Sequence, residues 1–172
     1  HVRATVLGFN QAPFTVTRSD VPLPQQLAAV DAIDPRGRSH VFDAILSGIR
    51  SFRPQVSRKA VIVFTDGDDN GSLSSIPAIR RRLGESDATL YVITHGKAGE
   101  KESARKAVSE LAGLSGGRPI QIGKVDELGV ALDQIVDDLS NLYLMGYMPT
   151  DPPAMGEFRA YTVTTRTRDQ KV

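Results

Sequence analysis

Apolar positions recur along this chain with two distinct periods. Ala60 to Thr65 (AVIVFT) is a nearly continuous apolar, β-branched run, the pattern of a strand covered on both faces of a parallel sheet. Ala88 to Thr94 (ATLYVIT) repeats that pattern, and Pro119 to Ile122 is a shorter version of it. Around these runs the spacing lengthens to that of a helix. Val41, Ile45, Ile49 and Phe52 define an inner face over Ser39 to Phe52, where Ala44 and Gly48 permit close approach to a sheet. Ile76, Ile79 and Leu83 define a second face, with Ser74 or Ser75 as the cap and Pro77 near the start. Ala104, Ala107, Val108, Leu111 and Leu114 define a third over Lys101 to Leu114, stopped by Gly116-Gly117. Leu128, Leu132, Ile135, Leu139 and Leu142 line the fourth, Asp126 to Leu142.

The two ends follow other patterns. Val2 to Phe9 and Phe14 to Thr17 read as a hairpin turning at Asn10-Gln11. A short helix follows, with Ser19 and Asp20 as caps, Pro22 and Pro24 in its first turn, and Leu23, Leu27 and Val30 as its apolar face. Asp34-Pro35-Arg36-Gly37 ends it. At the other end, Asn141 to Met148 turns strand-like, 149–156 is a polar loop rich in proline, and Phe158 to Arg168 alternates with period two. Strand–helix alternation from 39 to 142 predicts an α/β, Rossmann-like fold, a mostly parallel sheet with helices on both faces. The domain is expected over 1–142, with 143–172 as an antiparallel strand extension packed on it. Residue 1 is His rather than Met, and Arg166 to Val172 ends without a turn or cap. Both ends read as cuts through a longer protein.

Composition narrows the function more than the fold. The chain has 172 residues, enough for one domain with a proper core. A formal net charge of +1 removes nucleic acid as the organising partner. The absence of Cys excludes disulfides, thiolate metal sites and a cysteine nucleophile. No apolar run approaches the length of a membrane span. The chain carries no Gly-x-Ser-x-Gly, P-loop or Gly-x-Gly-x-x-Gly signature and no helix with paired zinc-binding histidines, so a non-enzymatic role is expected. The Arg80-Arg81-Arg82 run reads as a solvated helix face.

The chemistry concentrates where the Ala60–Thr65 strand gives way to Asp66, Gly67, Asp68, Asp69, Asn70 and Gly71. Ligands of open α/β sheets sit beyond such strand ends, and a run of carboxylates there suits a cation better than a phosphate. Three local readings compete. Asp66-x-Asp68-x-Asn70-Gly71 copies the start of an EF-hand loop, but the twelfth position, which needs a bidentate Glu, is Pro77. A strand followed by Asp-x-Asp also fits a phosphoryl-transfer enzyme with Asp66 as nucleophile and magnesium as cofactor, without an obvious lysine to neutralise the phosphoryl group. The third reading is a plain turn, since Asp, Asn and Gly are turn formers.

A second segment adds weight to the cation. Gly37-Arg38-Ser39-His40-Val41-Phe42-Asp43-Ala44 resembles the Gly-x-Thr-x-Leu-Tyr-Asp-Ala segment of von Willebrand factor type A domains, and Thr65-Asp66-Gly67 resembles the end of that family's fourth strand. The likeness covers nearly the whole chain in order, and Tyr143 to Tyr147 with the alternating strand after Phe158 is similar to bacterial, acidobacterial-type relatives of the family. The resemblance implies a metal-ion-dependent adhesion site in which Ser39 and Asp66 are metal ligands. Ser39 keeps the hydroxyl oxygen that a hard cation needs. It implies Mg²⁺, or another divalent ion such as Mn²⁺ or Ca²⁺, and a protein partner whose Asp or Glu completes the coordination. Secretion or cell-surface display is likewise an implication of the resemblance alone. The family's Asp-x-Ser-x-Ser motif, which follows its central first strand, does not occur in this sequence. The chain therefore holds only Ser39 and Asp66 of the expected ligands, binding is expected to be weak, and a scaffold domain without metal is the alternative. Asp68 and Asp69 are expected as surface turn residues, Gly67 as a compact link, His40 and His95 as packing or solvent-edge histidines, and Asp43 as a structural hydrogen-bonder to backbone.

Overall fold

The computed structural model describes residues 3–34, 36–52, 58–66, 68–95, 102–141, 148 and 150–151. The chain forms two compact units, 1–141 and 142–172. The strand pair expected beyond 141 lies outside the described residues, apart from Asn141 and Met148. Asn141 caps the last helix, and its N–H reaches the Asp137 and Asp138 carbonyls. No described helix is long and apolar enough to cross a membrane.

In the first unit, β1 (Val6–Phe9) and β2 (Pro13–Thr17) form the antiparallel hairpin expected around 10–11, with Phe9 opposite Pro13. Then come α1 (Leu23–Asp31), α2 (Val41–Arg50), β3 (Lys59–Thr65), α3 (Ile76–Glu85), β4 (Ala88–His95), α4 (Glu102–Leu114), β5 (Pro119–Ile122), a 3-10 turn (Val125–Glu127) and α5 (Leu128–Ser140). The sheet order is β3-β4-β5, all parallel, with Lys59 opposite Ala88 and Val92 opposite Pro119. The α/β fold with a parallel sheet and helices on both faces is therefore the observed one.

β4 explains the core. It is paired on both edges, and Ala88 to Thr94 are all buried. Its side chains alternate between faces, as a pleated strand requires. Leu90 and Val92 join Ile45, Ile79 and Leu111 under α2, α3 and α4. Tyr91 and Ile93 join Ile122, Ala131 and Ile135 under α5. β3 pairs with β4 on one edge only among the described residues, and Phe64 near its end is 48% exposed. Gly48 lets α2 sit close on β3: a Cβ there would stand 3.2 Å from a Val61 methyl.

Several expectations are corrected. Ser19 and Asp20 do not cap α1; Pro22 occupies the cap position without a side-chain bond, and the Gln26 amide instead donates to the Arg18 and Val21 carbonyls. The Leu23, Leu27 and Val30 face of α1 is exposed, because no described element packs over it. Leu114, expected inward, is exposed in the last turn of α4, where the chain turns away at Gly116 with φ +78°. Ala112 takes the buried position.

Candidate functional site

The site is built from two segments, 39–43 and 66–75. Ser39 lies on the half-buried approach to α2, and Asp66 follows directly after β3 with an exposed side chain. The Asn70 N–H donates to the Ser39 carbonyl at 2.8 Å, which ties the approach to α2 onto the loop that begins at Asp66. Gly67 lies outside the described residues.

The helix supplies the reason for the contact. The first N–H groups of any helix lack intrahelical acceptors. α2 begins at Val41 with His40 at the cap position, and His40 makes no capping bond. The acidic loop provides the missing acceptors. Asp69 Oδ1 accepts from the Phe42 N–H at 3.2 Å, and Ser72 Oγ accepts from the Asp43 N–H at 3.2 Å. Ser72 is itself held by Asp69, which accepts its N–H at 3.3 Å and its hydroxyl at 2.5 Å. Asp43 answers from the helix: its carboxylate accepts the Leu73 N–H at 3.0 Å and the Ser74 N–H at 2.8 Å. Ser75 then caps α3, accepting the Ala78 N–H at 3.4 Å.

These bonds assign the carboxylates. Asp43 bonds to backbone, as expected. Burial pushes its pKa up, but the hydrogen bonds from Ser74 and Leu73 and the nearby His40 outweigh burial and hold it below the ordinary aspartate range. Asp69 is not a surface turn residue; it caps a helix 27 positions away in sequence. Asp68 is buried at 6% exposure, also against the expectation, and accepts from the Asn70 side chain at 3.4 Å. Its N–H donates to Asp66 Oδ1 at 3.1 Å, closing the turn after the strand. His40 packs: its ring lies 3.6 Å from Asp43 and against Gly71, where a Cβ would stand 3.2 Å from Nε2. His95 is exposed at the end of β4.

The two oxygen-bearing side chains expected as ligands, Ser39 and Asp66, thus belong to segments joined by the Asn70–Ser39 backbone bond, and Asp66 Oδ1 already accepts the Asp68 N–H. They fit a hard divalent ion in kind. They fall short in number, and among the described residues no group of three or more His, Cys, Asp or Glu is placed to hold a metal. Sequence reasoning missed Asp69 and Ser72 as structural residues. The available signal was the cap position of α2, where an imidazole stands in place of a Ser, Thr, Asp or Asn.

The parallel sheet between two helical layers is an α/β fold of the von Willebrand factor A-like type. Similar solved structures include BatB from Bacteroides thetaiotaomicron, at TM-score 0.63 and 17% identity over 81% of this chain and 80% of that one. An aerotolerance-related membrane protein from Bacteroides fragilis matches at TM-score 0.59 and 17% identity over 81% and 80%. Proximal thread matrix protein 1 from the mussel byssus, with a zinc-occupied MIDAS motif, matches at TM-score 0.60 and 17% identity, over 79% of this chain and 36% of that one. No protein-family model matches the sequence, and no curated protein matches it. At these identities the likeness is one of fold.

Proposed function

We propose that this domain is a protein-interaction module that holds a divalent cation weakly through Ser39 and Asp66 and presents it to an acidic side chain of a partner. The observation that carries the proposal is the 2.8 Å bond from the Asn70 N–H to the Ser39 carbonyl, which joins the hydroxyl-bearing and carboxylate-bearing segments in one loop cluster. Mg²⁺, Mn²⁺ or Ca²⁺ would take the two protein oxygens together with water, and a partner's Asp or Glu would replace one water. The role is binding rather than turnover. Support from outside the chain comes from a fold neighbour whose MIDAS motif holds zinc.

The test is a thermal melt after EDTA treatment, repeated with millimolar Mg²⁺, Mn²⁺ or Ca²⁺, on the natural chain and on Ser39→Ala and Asp66→Ala. Stabilisation of the natural chain that both variants lose supports the proposal, because a ligand that binds only the folded state raises its stability. No shift with any of the three ions sinks it.

A scaffold role without metal is the second reading. It is favoured by the engagement of Asp43 and Asp69 with backbone N–H groups, which removes two carboxylates from the pool of ligands.

A further inference from the structure

We infer that Asp43 and Asp69 are reciprocal positioning residues, each capping the other's segment, and that together they set where the Ser39 segment lies against the loop that carries Asp66. The inference rests on the site reading above for its functional meaning, and on hydrogen-bond geometry for its content. Asp69 reaches from the loop to the first turn of α2 at Phe42. Asp43 reaches back from the first turn of α2 to Leu73 and Ser74. Ser72 lies between them, accepting the Asp43 N–H and donating its hydroxyl to Asp69. The bond from Asn70 to Ser39 belongs to neither carboxylate, yet it is flanked by both.

Hydrogen bonds to ionised groups are stronger than neutral ones, and linked bonds reinforce one another. Such a brace opens as a unit. Loss of the Asp43 carboxylate would free Leu73 and Ser74 directly, and it would also loosen the Asn70 and Phe42 N–H groups, which are held by Ser39 and Asp69 and not by that carboxylate. A pair of independent caps would behave differently, because each would open alone. The brace also separates two jobs that acidic residues of one loop could be thought to share: Asp66 is the expected ligand, while Asp43 and Asp69 hold the geometry.

Amide hydrogen exchange on Asp43→Ala and on the natural chain tests this. Exchange at Leu73 and Ser74 is expected to speed up, and exchange at Asn70 and Phe42 is expected to rise with it by roughly tenfold or more. If Asn70 and Phe42 keep their protection, Asp43 is a local cap and the inference is overturned. Ile135→Val, in the core on the α5 side, serves as the control for general loss of stability. If it speeds exchange at Asn70 and Phe42 as much, the effect is global and the inference also fails. Should Asp43→Ala not fold, Ser72→Ala removes the central hydroxyl and is read by the same amides. A natural chain that takes no cation would sink the metal reading but leave the exchange result standing, so the two failures are distinguishable.

Discussion

Gly117 lies directly against the Leu90 backbone: a Cβ at position 117 would stand 2.0 Å from the Leu90 carbonyl oxygen and 2.8 Å from its carbon. The approach follows from how α4 ends. Gly116 turns at φ +78°, the Gly117 N–H returns to the Ala112 carbonyl, and the Ser115 hydroxyl accepts the Leu90 N–H at 2.8 Å. The chain is thereby laid onto the central strand before β5 begins.

Gly117→Ala is therefore expected to be among the most damaging single-methyl additions in the domain. The overlap is with backbone, so no rotamer change relieves it, and β4 or the 115–118 turn must shift. A loss of about 2–3 kcal/mol is expected. Gly113→Ala meets nothing within 4 Å and serves as the comparison. Equal melting temperatures for the two variants would contradict the packing described here.

The two layers of the core should differ little in depth but sharply from their own surfaces. Leu111 and Ile135 are fully buried on opposite faces of the sheet. Leu111→Ala and Ile135→Ala should each lose about 2–5 kcal/mol, the range for a cavity that the surroundings only partly fill. Val130, on α5 but 60% exposed, and Leu73, 94% exposed, should change by no more than about 0.5 kcal/mol on truncation to Ala. Urea melts of the four variants decide it.

What the sequence disclosed and what it withheld divide by range. β4 and α5 were legible because their signals are local: an unbroken apolar run for a strand covered on both faces, and Leu128, Leu132, Ile135 and Leu139 at helical spacing. Asp66 was singled out from its residue type and its position after a strand, and Ser39 only through the family resemblance. The burial of Asp68 and the role of Asp69 were not legible, since both look like turn formers and the long-range partner of Asp69 is set by packing. Asp69 meets Phe42 only because β3 delivers the loop beside the start of α2. α1 shows the converse. Its apolar face was read correctly as a pattern, but a pattern does not say what will cover it, and no described element does.

The triple-arginine stretch on α3 is expected to contribute little to stability. Arg80 pairs with Glu110 on α4 at 2.6 Å, and Arg82 pairs with Glu85 at 3.5 Å, but the Arg80 and Glu110 side chains are 53% and 57% exposed. Ion pairs in that setting are worth about 0–1 kcal/mol and weaken with salt. Arg80→Ala should therefore fall within about 1 kcal/mol of the natural chain at low salt, and the gap should close at about 1 M salt. A larger loss that salt does not reduce would mean that the aliphatic stem of Arg80, rather than its charge, holds α3 to α4.

Asp43 gives the domain a defined acid response. Burial raises its pKa, the bonds from Ser74 and Leu73 with His40 nearby lower it further than that, and the net folded-state pKa lies below the unfolded one. The sign of the linkage follows. A carboxyl depressed in the folded state gives its full stabilisation above its unfolded pKa, and that stabilisation is lost as the pH falls through the folded value. Asp43→Asn keeps the size of the side chain and part of its hydrogen bonding but cannot ionise. The stability gap between the natural chain and Asp43→Asn should thus narrow as the pH falls below about 4. Its full size should be about 1–3 kcal/mol, the range for hydrogen bonds to a charged acceptor. Denaturant melts at a series of pH values measure the gap directly. A gap that stays constant from about pH 4 down to about pH 2 would mean that the hydrogen bonds do not depend on the charge of Asp43, and one that widens over that range would contradict the depressed pKa itself.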